Sequence, residues 1–367
     1  MAWVTPDYPP DRGGVSDHSS EMVSALRAAG HDVLVCARPH ATGFREVEAE
    51  LRAFRPDLVV VAYVPLGYGP RTGGLSPAFA LWCIGLRSRL RCQAFLLAHE
   101  ANLPAEHLWR KRELKLAVLA EAQIMQFHHL ARCFDLVLFS NEGTRLAWAQ
   151  RLRRSAVQLQ TIRICSNIPF RPSSDPGADL AAAGHSAPTP TILFFGTGHE
   201  SVLFDYVEAA FVELLKVAPD AVLVIVGMSQ EKLRRLRPSL AALGARVQAL
   251  GYVPAAQVSL WLQVAKLVLA PLLEGVSARK GTVAAALQHG QAIVTTKGVH
   301  TLDDIAWDEI CILGPLDRDL FAETAVRAFQ NDEWRRTVGN AARADYDAHA
   351  SAAVTASRIL TLAARGS

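Results

Sequence analysis

Short, continuous apolar runs alternate with helix-periodic stretches along the whole chain, and this alternation limits the fold more than any other feature. LVVVAYV at residues 58–64 is the clearest run, apolar with no polar alternation. A strand apolar on both sides must be covered on both faces, as inside a parallel sheet flanked by helices. QAFLLA at 93–98, LVLFS at 136–140, ILFF at 192–195, AVLVIV at 221–226, LVLA at 267–270 and AIVT at 292–295 repeat the pattern. Helix-periodic stretches such as VSDHSSEMVSALRAAG at 15–30 stand between them. The expected class is α/β, with parallel sheets covered on both faces.

With 367 residues the chain is long enough for two domains. RPSSDPGADLAAAGHSAPTP at 171–190 changes character to Pro, Ser, Gly and Ala and reads as a linker. The expected layout is a first Rossmann-like domain over 1–171, a linker over 172–190 and a second such domain over 191–341. Residues 342–367 should form a helix that crosses back onto the first domain. Such a pair is expected to leave a ligand cleft between its strand ends. A formal charge of +3 argues against nucleic acid as the main partner. No apolar run reaches the roughly 18 residues of a membrane span. The N-terminus lacks the basic start and apolar core of a signal peptide. Six cysteines are scattered without a CxxC pair, which points to a reducing cytoplasm without structural disulfides or zinc. Residues 107–133 read as one long helix with Arg110, Lys111, Arg112 and Lys115 in its first half. This is a solvated face or a peripheral contact with an anionic membrane surface.

The chemistry-bearing residues gather where strands end. PLLEGVSARKGTVAAALQHGQAIV at 271–294 reads as strand end, polar loop, helix and new strand. Thr282 is expected to cap the helix, and Gly290 to stop it. The free N–H groups and positive dipole of such a helix start suit an anion, and Arg279 and Lys280 stand immediately before it. A phosphate or diphosphate site is one reading; a solvated basic loop is the other. Gly13-Gly14 lies after the first strand, where open α/β sheets bind ligands, but it also suits a plain tight turn. His99 ends the strand at 93–98 in the same kind of place. Gly196-Thr197-Gly198, Gly227 and Gly251-Tyr252-Val253-Pro254 follow strands of the second half. No DxD with a supporting histidine is evident, so no metal and no cofactor are expected.

Together these segments resemble the retaining family-4 glycosyltransferases of the GT-B fold, known as glycosyl transferases group 1. PDYPPDRGGVSDHSSEMVSALRAAGHDVLV looks like the family's opening, with PP-x-x-GG-V before a helix and then G-H-[DE]-V. FLLAHE looks like the strand whose final histidine lines the active site. TIRICSNIP looks like the segment that closes the first domain. LGYVPAAQVSLWLQVAKLVLAPLLEG is similar to the family's G-Y-[VL]-P to [ED]-G block. The resemblance implies a GT-B pair of doubly wound domains. It also implies metal-independent, retaining transfer from a nucleotide-sugar donor to a hydroxyl acceptor, in bacterial polysaccharide or secondary-metabolite glycoside biosynthesis.

The resemblance also assigns roles. His99 orients reacting groups, and Glu274 holds sugar hydroxyls. Gly13, Gly14, Ser277, Arg279, Lys280, Gly281 and Thr282 surround the donor diphosphate. Gly196, Gly198, His199, Gly227, Tyr252, Val253, Gly275 and Val276 surround the nucleotide and sugar. The chain departs from the family at three points. His199 and Val202 stand where relatives carry an Arg and a Lys on the diphosphate. The second of two family glutamates is absent, since Thr282 stands eight residues after Glu274 and counting back from Gly290 gives Ala285. Arg279 and Lys280 are expected to replace the lost cations. Two other classes share the architecture: a non-catalytic carbohydrate-binding or partner subunit, and a sugar-nucleotide epimerase or a phosphorylase. No pyridoxal lysine for a phosphorylase is identified. His99→Ala is expected to lower turnover roughly 10–1000-fold with donor affinity little changed, as steady-state kinetics beside donor titration would show.

Overall fold

The computed structural model describes residues 1–11, 13–37, 39–69, 72–102, 113–187, 190–198 and 201–365. Two compact units emerge: Met1–Cys165 with Ala352–Ser367, and Ser166–Ser351. Each holds one six-stranded, all-parallel sheet. No helix among the described residues is long and apolar enough to cross a membrane.

In the first unit the strands are β1 (Ala2–Thr5), β2 (Leu34–Ala37), β3 (Leu58–Tyr63), β4 (Gln93–Ala98), β5 (Leu136–Phe139) and β6 (Gln158–Thr161). Their order is β2-β1-β3-β4-β5-β6. All six residues of β3 are buried, as its unbroken apolar run requires. Successive side chains go to opposite faces. Trp3, Val60, Phe95 and Leu97 enter a core closed by helices Gly14–Ala28 and Ala352–Arg365. Val59, Val61, Leu96 and Phe139 enter a second core with Phe79, Phe127 and Trp148.

In the second unit the strands are β7 (Thr191–Phe195), β8 (Val222–Val226), β9 (Val247–Gly251), β10 (Ala265–Ala270), β11 (Ile293–Thr296) and β12 (Ile312–Gly314). Their order is β12-β11-β10-β7-β8-β9. The chain moves one way from β7 to β9 and the other way from β10 to β12. The switch lies between β7 and β10, so their carboxyl-end loops diverge and leave a ligand crevice. In the first unit β1 and β3 flank the corresponding switch.

Several boundaries differ from the sequence reading. The units divide at Cys165/Ser166 rather than after residue 171, and the Ser166 amide donates to the Tyr346 hydroxyl at 3.0 Å. The stretch read as a linker contains helix Pro176–Ala182, capped by Asp175, whose carboxylate accepts from the Ala178 amide at 2.9 Å. Its Leu180, 0% exposed, lies in the same core as Val258, Trp261 and Leu262. The expected single helix at 342–364 is two helices. The amides of Ala350 and Ser351 both return to the Tyr346 carbonyl at 2.9 Å and close helix Asp332–His349. Helix Ala352–Arg365 then begins afresh in the first unit. The helix expected over 107–133 is described only as Leu114–Ala131. Arg110, Lys111 and Arg112 lie outside the described residues.

Leu180 separates a linker from an integral part of the second unit. Leu180→Ala is expected to cost about 2–5 kcal/mol, on the scale of buried leucine truncations. A leucine on a solvated linker would change stability by no more than about 0.5 kcal/mol. Urea denaturation of the two proteins decides between them.

Candidate active site

The loop leaving β10 is built by its neighbours. Val202 and Leu272 form an antiparallel bridge. The Leu203 amide donates to the Pro271 carbonyl at 3.1 Å, and the Leu273 amide to the Ser201 carbonyl at 2.9 Å. The segment following β7 is thereby laced to the loop following β10, at the switch point. On the other side, Thr296 at the end of β11 accepts from the Leu272 amide at 2.8 Å, and its carbonyl accepts from the Val276 amide at 3.0 Å. Gly275 has φ 82°, and a Cβ there would lie 2.3 Å from the Gly298 amide nitrogen. Only glycine permits both this backbone conformation and this approach.

Glu274 is fixed by this frame. Its carbonyl accepts from the His300 amide at 2.8 Å. Arg279 Nη2 donates to its Oε2 at 2.7 Å. His300 Nδ1 lies 3.1 Å from the same oxygen, at ion-pair distance but without an aligned N–H. His300, with Arg279 and Lys280 adding their charges, holds the Glu274 carboxyl down at about 2. Arg279, expected at the diphosphate, is engaged with Glu274. Lys280 Nζ reaches Ser201 Oγ at 3.4 Å.

Helix Gly281–Gln288 starts immediately after, with Lys280 at its N-cap and no side-chain cap. Thr282 is thus inside the first turn, not the cap. Its Oγ1 points toward the β7 end, 3.9 Å from where a Cβ of Gly196 would sit. Gly290 follows the helix with φ 63°, in the left-handed region. Ser277 is buried, and its hydroxyl has no partner among the described residues; the same holds for Arg279 Nε. Gly281 approaches Asn167, with 3.6 Å between a would-be Cβ and Oδ1.

The turns after β7 and β8 press together. Gly227 has φ 100°, and a Cβ there would lie 2.8 Å from the Gly196 carbonyl oxygen. Gly198 packs against Met228. Tyr252 is 66% exposed at the end of β9. Two residues expected around the nucleotide and sugar have their side chains in the core. Val253 and Val276 are buried beside Leu262 and Ala285, and the Val276 amide and carbonyl are taken by Thr296 and Thr301. Their side chains serve packing. Ala285 is fully buried too, so a carboxylate at that count would face the core. His199 lies outside the described residues.

In the first unit, His99 continues the side-chain alternation of Phe95 and Leu97 and turns toward helix Gly14–Ala28. Its ring meets His18 edge-to-face, with centroids 4.7 Å apart. Thr5 meets Ser19 of the same helix at 3.0 Å. A buried polar layer thus lies between this helix and the strand ends. The His99 amide donates to the Tyr63 carbonyl at 3.0 Å, and Ser140 Oγ to the His99 carbonyl at 2.9 Å. Both ring nitrogens of His18 and Nε2 of His99 are buried without partners among the described residues. Burial holds His99 down at about 4 and, with His99 beside it, pushes His18 well below the usual imidazole range. Gly13 and Gly14 open the helix, and a Cβ built on either would meet no described atom within 4 Å apart from its chain neighbours and the helix's own backbone.

Residues 189–331 match the family model described as glycosyl transferases group 1. Sucrose-phosphate synthase from Thermosynechococcus elongatus is structurally similar, with TM-score 0.73 and 16% identity, covering 99% of this chain and 98% of its own. WaaG, a glycosyltransferase involved in lipopolysaccharide biosynthesis, gives 0.66 at 14% identity over 97% and 98%. HepE from Anabaena, solved with UDP-glucose, gives 0.67 at 14% identity over 99% of each chain. The chain is a glycosyltransferase of the GT-B fold. No curated protein sequence matches it.

Sequence reading of this glycosyltransferase missed His18 and His300. His18 lies four residues after Gly14, one helical turn along the same face, and that spacing was a usable signal. His300 lies in no motif. Its one signal is its place on the loop after β11, beside β10.

Three buried imidazoles give the glycosyltransferase a pH dependence. Burial also lowers His289 to about 4, with Nε2 2.8 Å from Ser259 Oγ. A folded imidazole with a lowered pKa binds fewer protons than the unfolded one. Stability is therefore complete above about pH 6.5 and lost as pH falls toward the folded value. His99 alone is expected to remove about 2 kcal/mol between pH 7 and pH 5. Urea denaturation at both pH values checks this, with His99→Phe showing the smaller drop. Equal stability of the parent at the two values would refute it.

Proposed function

We propose that this glycosyltransferase moves a sugar from a nucleoside-diphosphate sugar to a hydroxyl acceptor, with retention and without a metal or further cofactor. The observation that carries the reading is the switch-point loop of the second unit. It sets an ionised carboxylate, Glu274, beside an uncapped helix start and Lys280. Departure of the nucleotide builds negative charge on the leaving phosphate, and preorganised N–H groups and cations answer that charge. The first-turn amides of Gly281, Thr282 and Val283, with Lys280, take the diphosphate. Glu274 Oε1 accepts no hydrogen bond from a described residue and is the acceptor for a sugar hydroxyl. Gly196, Gly198 and Gly227 let the nucleotide approach the backbone. The leaving phosphate takes the acceptor's proton, and His99, neutral near pH 7, orients rather than acts as a base.

UDP-sugars are the first donors to test, because HepE was solved with UDP and with UDP-glucose. Cytoplasmic work on a bacterial surface polysaccharide or a secondary-metabolite glycoside fits the reading. Peripheral membrane contact is also part of it. Leu114, Val118 and Met125 are exposed at helical spacing on helix Leu114–Ala131, beside Lys115. A non-catalytic partner subunit is the second reading, favoured by the missing second carboxylate.

A thermal-shift screen against UDP-, GDP-, ADP- and dTDP-sugars tests the donor. A ligand at 100 times its Kd stabilises by about 2.7 kcal/mol. No shift with any of them would remove the nucleotide-sugar reading. Turnover of the bound donor with and without acceptor separates the enzyme from the partner subunit. Lys280→Ala is expected to weaken nucleoside-diphosphate binding by about 1.5–3 kcal/mol, the scale for hydrogen bonds to charged groups. Nucleoside binding should hardly change. Calorimetric titration with both ligands reads the contrast, and equal effects on both would place the diphosphate elsewhere.

A further inference from the structure

The loop after β11 contributes more than packing. His300 comes from Lys297–Leu302, a segment fixed on the Glu274 loop at three points. The His300 amide binds the Glu274 carbonyl at 2.8 Å, Thr301 Oγ1 donates to the Val276 carbonyl at 3.2 Å, and Gly298 lies against Gly275. This fixed segment brings Nδ1 to 3.1 Å from Oε2 of Glu274, the oxygen that Arg279 also holds at 2.7 Å. Arg279 and His300 both address one carboxylate oxygen. The other, Oε1, accepts nothing from a described residue. A carboxylate fixed at one oxygen presents the second in a set direction, which is the requirement for reading a hydroxyl.

We propose that His300 is a positioning residue: with Arg279 it fastens Oε2 of Glu274, so that Oε1 alone is presented to a hydroxyl of the bound sugar. This rests on the donor-site reading above. Arg279, Lys280 and His300 are the charged and titratable groups facing Glu274. His300 therefore acts on the sugar portion of the donor and not on its diphosphate.

The test uses the full chain, its His300→Phe and His300→Leu variants, and His300→Asn, whose amide can return a donor. Calorimetry compares UDP with UDP-glucose, or with whichever of the GDP, ADP or dTDP pairs the parent protein binds. The expected result is unchanged nucleotide binding and loss of about tenfold in the advantage of the sugar nucleotide, the scale of one charge-assisted hydrogen bond. His300→Asn should recover most of it. A retained sugar advantage in His300→Phe and His300→Leu overturns the proposal, as does an equal loss for nucleotide and sugar nucleotide. A ligand-free readout decides the matter if no nucleotide sugar binds and the donor reading fails. Carbon-13 resonances of glutamate carboxyls, assigned with Glu274→Gln, give the Glu274 titration midpoint. It should rise in His300→Phe and His300→Leu. An unchanged midpoint in both overturns the proposal.

Discussion

An open sheet of parallel strands must reverse its direction of winding once, and the rest of each unit depends on where it does so. Helices fill both faces on either side of the reversal. At the switch itself the loops turn away from each other and leave a crevice at the carboxyl ends. In the second unit this happens between β7 and β10, which is where the β7 and β10 loops carry their glycines, Glu274 and the basic pair. The site follows from the topology before any side chain is considered.

Side chains are then fixed by backbone approach more than by ion pairs. The Glu274–Arg279 pair is part-exposed on both sides, and such pairs contribute about 1 kcal/mol or less. The orientation of Glu274 rests instead on the main-chain bonds from Val276 to Thr296 and from His300 to Glu274, and on the contact of Gly275 with Gly298. Arg279 and His300, both at Oε2, then direct the carboxylate within a frame that already exists. The first unit is arranged differently. There His18 and His99 meet within a buried layer, and burial rather than a counter-ion sets their neutral state.

The sheets were legible in the sequence because a strand covered on both faces leaves an unbroken apolar run. β3 and β8 show it residue by residue. Short helices and breaks were less legible. Pro176–Ala182 hides in a composition that suits a linker, and only its tertiary contact through Leu180 shows its role. The break at Ala350-Ser351 falls in an alanine-rich stretch that carries no Gly or Pro to announce it. At the site, residues beside a strand end, Glu274, Lys280 and Gly196 among them, were legible from local order. Val253 and Val276 stand in the same segments but face inward, and the direction of a loop side chain is a tertiary property. His300 is the converse: its partner lies 26 residues away, across one helix and one strand, with no periodicity to relate them.

The missing second glutamate can be understood from the same geometry. A carboxylate at residue 282 would sit at the first turn of helix Gly281–Gln288, facing Gly196, where the helix dipole and Lys280 would favour its charge. That charge would compete for the very amides an anionic ligand uses. Thr282 leaves those amides uncontested and keeps a hydroxyl beside Gly196. Arg279 then has Glu274 as its described carboxylate partner. With one carboxylate instead of two, the loop carries more net positive charge toward the helix start. On the proposed reading, the loss that weakens the hold on sugar hydroxyls strengthens the hold on phosphate, and Glu274 is left as the loop's carboxylate for the sugar.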